Sequence, residues 1–169
     1  MLIILAGLPG TGKTTIARTL ARRLAAVHIR IDSIEQAVRR SGMLETEIGP
    51  AGYMAGYAVA QDNLRAGRIV IADAVNPLQV TRDAWHAVAR RMAARSVDIE
   101  LICSDRAEHR RRIETRQSDI EGLNPPDWQD VVNRHYETWS TPRITIDTAG
   151  AGLDETIADI LARLDIAMG

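Results

Sequence analysis

The stretch Leu2-Ile-Ile-Leu-Ala-Gly7-Leu8-Pro9-Gly10-Thr11-Gly12-Lys13-Thr14-Thr15 decides how the chain folds. Residues 2–6 are apolar without a break and end at a glycine, the pattern of a short strand buried on both faces of a parallel sheet. From Gly7 to Thr14 the order of residues fits G-x-x-x-x-G-K-[ST]. Ile16, Ala17, Leu20 and Leu24 then recur at helical spacing, which predicts a helix over 13–25. Strand, glycine-rich turn and helix in this order make a phosphate cradle. Glycines let main-chain N–H groups turn toward phosphate oxygens, and the helix start adds partial positive charge. Lys13 supplies a compact ammonium, and Thr14 a hydroxyl for Mg²⁺. Residues 7–15 are therefore the candidate nucleotide-binding set. The bland alternative is a glycine-rich turn with a solvated lysine. Against it, Lys13 is the one lysine of the chain beside twenty arginines, and it stands where the motif demands lysine.

Working outward, 169 residues suit one domain, 1–169, with a core of useful size. Lys plus Arg is 21 and Asp plus Glu 22, for a net charge of −1, which argues against a general nucleic-acid or membrane-surface binder. Hydrophobic residues at 46% and charged residues at 25% exclude a disordered chain. A single cysteine, Cys103, excludes an internal disulfide and a cysteine zinc cluster. The first apolar run is too short for a signal peptide or membrane span, so the expected location is the cytoplasm.

Further short apolar runs predict strands at 27–31, 68–72, 97–103 and 143–146. Helices are predicted at 33–40, 53–66, 77–94, 105–117, 127–139 and 153–167, with loops at 41–52 and 118–126. Such alternation means an α/β protein with a parallel sheet and helices on both faces. The charged, breaker-rich segment at about 105–140 reads as an insertion or lid.

Two carboxylates follow strands, and ligands of open α/β sheets sit at the carboxyl ends of strands. Asp73 ends Ile69-Val-Ile-Ala-Asp73 like a Mg²⁺-holding carboxylate. Asp32, in Ile31-Asp32-Ser33, is the candidate base for an acceptor hydroxyl. A cap or turn role is the alternative for each. Five arginines crowd one helix, and Arg112 and Arg116 share a face from which they could clamp a transferring phosphoryl group. Pairing with Glu108 and Glu114 is the plainer reading for several of them. Residues 33–62 form the expected acceptor side, with Glu35, Arg39, Tyr53, Tyr57 and Gln61 as its polar candidates. The four histidines show no metal-ligand spacing and read as structural or surface residues.

These features together resemble the small P-loop kinases grouped as AAA-type kinases, a set related to chloramphenicol phosphotransferase, polynucleotide kinase, zeta-type toxins, gluconate kinase and adenylylsulfate kinase. The resemblance implies a three-layer α/β/α P-loop fold with a five-stranded sheet in the order 2-3-1-4-5 and a helical lid. It supports Asp32 as base through the Asp-Ser pair after strand two. Asp73-x-x-Asn76 with Arg82 resembles a D-x-x-N…R pattern near the acceptor or γ-phosphate. Together with the 33–62 stretch, it gives Ser33, Arg39, Tyr53, Asn76 and Arg82 as the expected acceptor set. Arg112-Ile-Glu-Thr-Arg116 resembles an R-I-x-x-R lid that meets adenine and phosphates, and Gly150 falls where such kinases line the adenine site. Of a D-G-D-x-x-R acceptor motif, Arg30-Ile-Asp32 keeps only the last Asp. The expected function is ATP- and Mg²⁺-dependent transfer of phosphate to a small hydroxyl-bearing molecule. The alternatives are an NTP-hydrolysing switch without acceptor and a 5′-hydroxyl nucleic-acid kinase.

Overall fold

The structure, a computed structural model, describes residues 1–43 and 46–165. Its strands are β1 (Leu2–Ala6), β2 (Val27–Arg30), β3 (Val70–Asp73), β4 (Ser96–Ile102) and β5 (Ile144–Asp147). Its helices are α1 (Lys13–Arg23), α2 (Ile31–Arg40), α3 (Ala51–Arg65), α4 (Gln79–Arg91), α5 (Arg106–Thr115), α6 (Trp128–Asn133) and α7 (Leu153–Arg163). The strands form one parallel sheet in the order β2-β3-β1-β4-β5, the order that the kinase resemblance implies.

β1 is central, which is why all five of its residues are apolar and buried. Its alternation sends Ile3 and Leu5 into one core with Ile16 and Leu20 of α1 and Ile157 and Ile160 of α7. Leu2 and Ile4 enter the opposite core with Ala60 of α3 and Trp85 and Val88 of α4. Each fully buried aliphatic side chain contributes about 1.5–3 kcal/mol relative to exposure, so the two cores fix the sheet between its helix layers. The register sets Leu5 beside Asp73 and Ala6 beside Glu100, and so brings the ends of β1, β3 and β4 to one edge.

Several predicted boundaries move. α2 begins at Ile31, so Asp32 lies in its first turn rather than ahead of it. β3 runs through Asp73 instead of stopping before it. The helix predicted over 127–139 stops at Asn133, and 134–140 form an irregular strap. Tertiary contact overrides local propensity there. Glu137 N–H donates to Pro77 O (2.8 Å), and Trp139 turns in to donate its indole N–H to Glu100 (2.9 Å). Of the loop expected at 41–52, positions 44 and 45 lie outside the described residues, as do positions 166 and 167 of the last predicted helix.

Candidate active site

The loop from Gly7 to Gly12 leaves the end of β1 and enters α1 at Lys13. Gly7 has φ 134°, and a Cβ there would collide with Leu101 O. Gly10 has φ 84°, and its Cβ would sit 2.6 Å from Ile113 of α5. Larger residues at either position would open the cradle. No side chain caps the N-terminus of α1, and its first turn holds no acidic residue. Its leading N–H groups therefore keep their affinity for an anion.

Lys13 is nearly buried and donates from Nζ to Leu8 O (2.8 Å). Burial pushes its ammonium down to about 8, an effect that Asp73 and Asp32 oppose. Asp73 is 3% exposed, and its Oδ2 lies 3.1 Å from His28 Nε2. Burial alone would raise its carboxyl, but His28, Lys13 and the Thr14 hydroxyl outweigh that and hold it below the usual carboxylate range. An ionised carboxylate beside a threonine hydroxyl is a hard-oxygen pair that fits Mg²⁺, which takes few protein ligands and keeps waters and phosphate oxygens. Among the described residues, no cluster of three or more His, Cys, Asp or Glu side chains could hold a metal by itself.

A cleft of about 1050 Å³ opens at this edge of the sheet. Its floor carries Pro9, Gly10, Gly12, Lys13, Thr14, Thr15 and Asp73; one wall carries Asp32, Glu35 and Arg39 of α2; the other carries Arg112, Arg116 and the lid. Asp32 is exposed on the first turn of α2. Glu35 has its carboxyl raised by burial and by the charge of Asp32, against the pull of Arg39 and Arg134. Arg116 ends α5 with its guanidinium pushed down by burial while Asp32 attracts it. The lid loop is tied across the cleft, since Asp119 accepts from Arg18 of α1 and from Arg30 at the end of β2 (2.9 and 3.0 Å). Those bonds, the one to Arg18 foremost, hold Asp119 down to about 2.

Not every expected site residue meets in the cleft. Asn76 is fully buried, donating from Nδ2 to Leu5 O (2.8 Å) and accepting from Trp85 Nε1 (3.0 Å). Arg82 is also fully buried and donates to the carbonyls of Asn76, Pro77 and Glu137, with its guanidinium 4.0 Å from the Trp139 ring centroid. Neither lines the cleft, where an acceptor contact was expected of both. Tyr53 accepts from Asn76 N–H (3.2 Å) and is absent from the cleft wall, and burial raises its phenol. Ser33, Gly7, Leu8, Thr11 and Gly150 do not line the cleft either. Gly7 and Thr11 are buried within the loop's base, and Gly150 N–H donates to Glu108 (3.0 Å). Arg112 lines the cleft but is engaged, donating to Thr148 Oγ1 (2.9 Å), Thr148 O (2.8 Å) and Glu108 (2.6 Å). It ties α5 to the turn after β5 rather than standing over the floor.

Sequence reading missed four contributors. His28 supports Asp73, and His109 reaches Pro9 O (2.7 Å) to seat α5 on the phosphate loop. Arg30 and Arg134 line the cleft. No spacing rule picks them out; an apolar strand flanks Arg30, and Arg134 sits inside what reads as a helix.

No curated protein matches the chain. Many solved structures share its fold. A provisionally named kinase from Chloroflexus aurantiacus is 20% identical, with TM-score 0.74 and coverage of 95% of this chain and 96% of that one. The Mycobacterium tuberculosis APS kinase CysC in complex with AMPPNP and APS is 16% identical, with TM-score 0.70 and coverage of 97% and 96%. A gluconokinase from Sinorhizobium meliloti is 19% identical, with TM-score 0.66 and coverage of 96% and 90%. The family described as AAA domain matches residues 2–134. With a phosphate cradle, a buried carboxylate beside it and a parallel sheet in kinase order, the chain belongs to that AAA domain family and has the small P-loop kinase fold.

Proposed function

We propose that the protein is an ATP-dependent phosphotransferase that moves the γ-phosphate to a hydroxyl of a small molecule, with Asp32 as the base. The single observation behind this reading is the composition of the cleft. A phosphate cradle with Lys13 forms the floor, while an exposed carboxylate, Asp32, faces it from α2 under a tied lid. Main-chain N–H groups and Lys13 would hold the phosphates. Thr14 and Asp73 would hold Mg²⁺, which neutralises charge on the phosphates when bound. Arg116 would stand against the transferring group, and Asp32 would orient the acceptor and accept its proton. Arg112 would act by fixing α5. The acceptor would enter along α2, where Glu35 and Arg39 give it polar contacts. The whole chain, 1–169, would act as one unit with its lid at about 105–140. A nucleotide switch needs neither a carboxylate facing the cradle nor a lid to exclude water. The net charge of −1 disfavours the nucleic-acid alternative.

A coupled ADP-release screen over hydroxyl compounds tests the reading, with Asp32→Asn as control. The expected result is acceptor-dependent turnover by the wild type. Asp32→Asn should reduce it by about 10²–10⁴-fold with ATP affinity within about twofold. Full activity in Asp32→Asn would remove the base assignment, and ADP release indifferent to every acceptor would favour the switch.

A further inference from the structure

A glycine-rich phosphate loop is free to turn the wrong way as well as the right one. Gly10 has φ 84°, and glycine takes positive and negative φ about equally well. The peptide between Pro9 and Gly10 can therefore turn over. One orientation offers the Gly10 N–H to a phosphate, and the other offers the Pro9 carbonyl, whose partial negative charge repels it. The loop's own bonds fix the neighbouring peptide instead. Thr11 Oγ1 and Lys13 Nζ both donate to Leu8 O (2.9 and 2.8 Å). Among the described residues, Gly10 N–H has no protein acceptor.

The choice is made from outside the loop, by α5. His109 is 7% exposed, and its Nε2 lies 2.7 Å from Pro9 O. A carbonyl only accepts, so Nε2 is the ring nitrogen that carries the proton. In a trans peptide the C=O and the N–H point to opposite sides. With the Pro9 carbonyl drawn to α5, the Gly10 N–H faces the other way. Pro9 and Gly10 line the cleft, while His109 and Ile113 behind them do not. The imidazole has little room to move. The Trp128 ring meets it edge-on, with 5.3 Å between centroids, and a Cβ on Gly10 would lie 3.1 Å from His109 Cδ2. The helix is held in turn by its Asp105 cap and by Arg112 on Thr148.

Resting on the ATP reading above, we propose that His109 is a positioning residue for phosphate binding, which holds the Pro9–Gly10 peptide with its N–H toward the β-phosphate and its carbonyl away. His109 touches no nucleotide. It acts by removing an orientation that glycine would otherwise allow, so the donor is in place before the anion arrives.

Calorimetric titration of the full chain with Mg-ADP and Mg-ATP tests this in two variants. His109→Leu keeps an apolar side chain in the site and loses the donor, so both affinities should fall about tenfold or more. His109→Gln carries an amide N–H the same number of bonds from Cβ, and should return both to within about threefold of the wild type. A role in packing alone predicts the opposite order, since leucine suits a buried site better than glutamine. Unchanged affinities in His109→Leu overturn the proposal, as does His109→Gln binding no better than His109→Leu. Heteronuclear NMR of the wild type gives a reading that needs no variant. The neutral His109 ring should carry its proton on Nε2, and the Gly10 amide proton should move downfield when Mg-ADP is added. A ring protonated on Nδ1 alone, or a Gly10 amide that stays in place, also overturns it. If the wild type binds neither nucleotide, the donor site itself fails and His109 fails with it. Wild-type binding with unaltered affinity in His109→Leu sinks His109 alone.

Discussion

Two segments of this chain, Gly7–Thr14 and Asp73–Arg82, both read in sequence as ligand motifs, and the fold treats them in opposite ways. The first turns its backbone toward an open cleft, with uncapped N–H groups at the start of α1. The second keeps only its first three residues, Asp73, Ala74 and Val75, at that cleft. Asn76 and Arg82 turn inward, where Asn76 joins β1 to Trp85 and Arg82 joins α4 to the 134–140 strap. Polar residue types alone do not distinguish a ligand contact from an interior cross-link. The difference lies in where the hydrogen-bond partners are. Backbone carbonyls satisfy Arg82 almost completely, leaving only Nη1 without a partner, while solvent and a phosphate are the natural partners for the helix start.

The comparison breaks most decisively at Lys13. Lys13→Ala should lower ATP affinity by about a hundredfold or more, with a melting temperature equal to or above the wild type's, because a buried ammonium costs stability. Wild-type ATP affinity in this variant would place the phosphate site elsewhere. The mirror experiment is Asn76→Leu. It strands Leu5 O and Trp85 Nε1 in the core and should destabilise the protein by about 2–5 kcal/mol, with the ATP affinity of the folded protein within about threefold. Chemical denaturation measures the first quantity, and an unchanged midpoint would mean that Asn76 is no cross-link.

A smaller effect should come from pH. With Lys13 near 8 in the free protein, a bound phosphate would restore its charge. ATP affinity should then fall roughly tenfold between pH 7 and 9, with proton uptake on binding. Calorimetry at pH 8.5 in buffers of different ionisation enthalpy would detect the proton. Equal apparent enthalpies would remove this account of Lys13.

The smallest effect concerns α4 again, away from the cleft. His86 Nε2 lies 2.7 Å from the buried Asp98 and its Nδ1 3.0 Å from Ser96 Oγ. The bond to Asp98 raises its imidazole above the ordinary 6.5. A raised folded value means the stabilisation is complete below pH 6.5 and is lost as pH rises through the folded value. His86→Gln should flatten the stability profile across that window, and a profile of the same slope in both proteins would contradict the pairing.

Much of the architecture was legible in the chain. An unbroken apolar run before Gly7 marks a central parallel strand, and repeated strand–helix spacing marks the layers. Helix ends were less legible. The 127–139 pattern has helical periodicity, but the partners that stop it at Asn133, Pro77 and Glu100, lie about 40–60 positions away in sequence. For the site, the loop and both aspartates stand out because their chemistry is local. Arg134 and His28 do not, since nothing within a few residues shows that the one will line the cleft and the other will meet Asp73.

The sequence by itself determined the phosphate cradle, because glycine freedom, a helix start and a lone lysine are properties of adjacent residues. Only the tertiary structure decided which arginines face the cleft and which become interior ties. That choice depends on distant carbonyls and carboxylates, and a guanidinium left without them is the one that remains available to a phosphate.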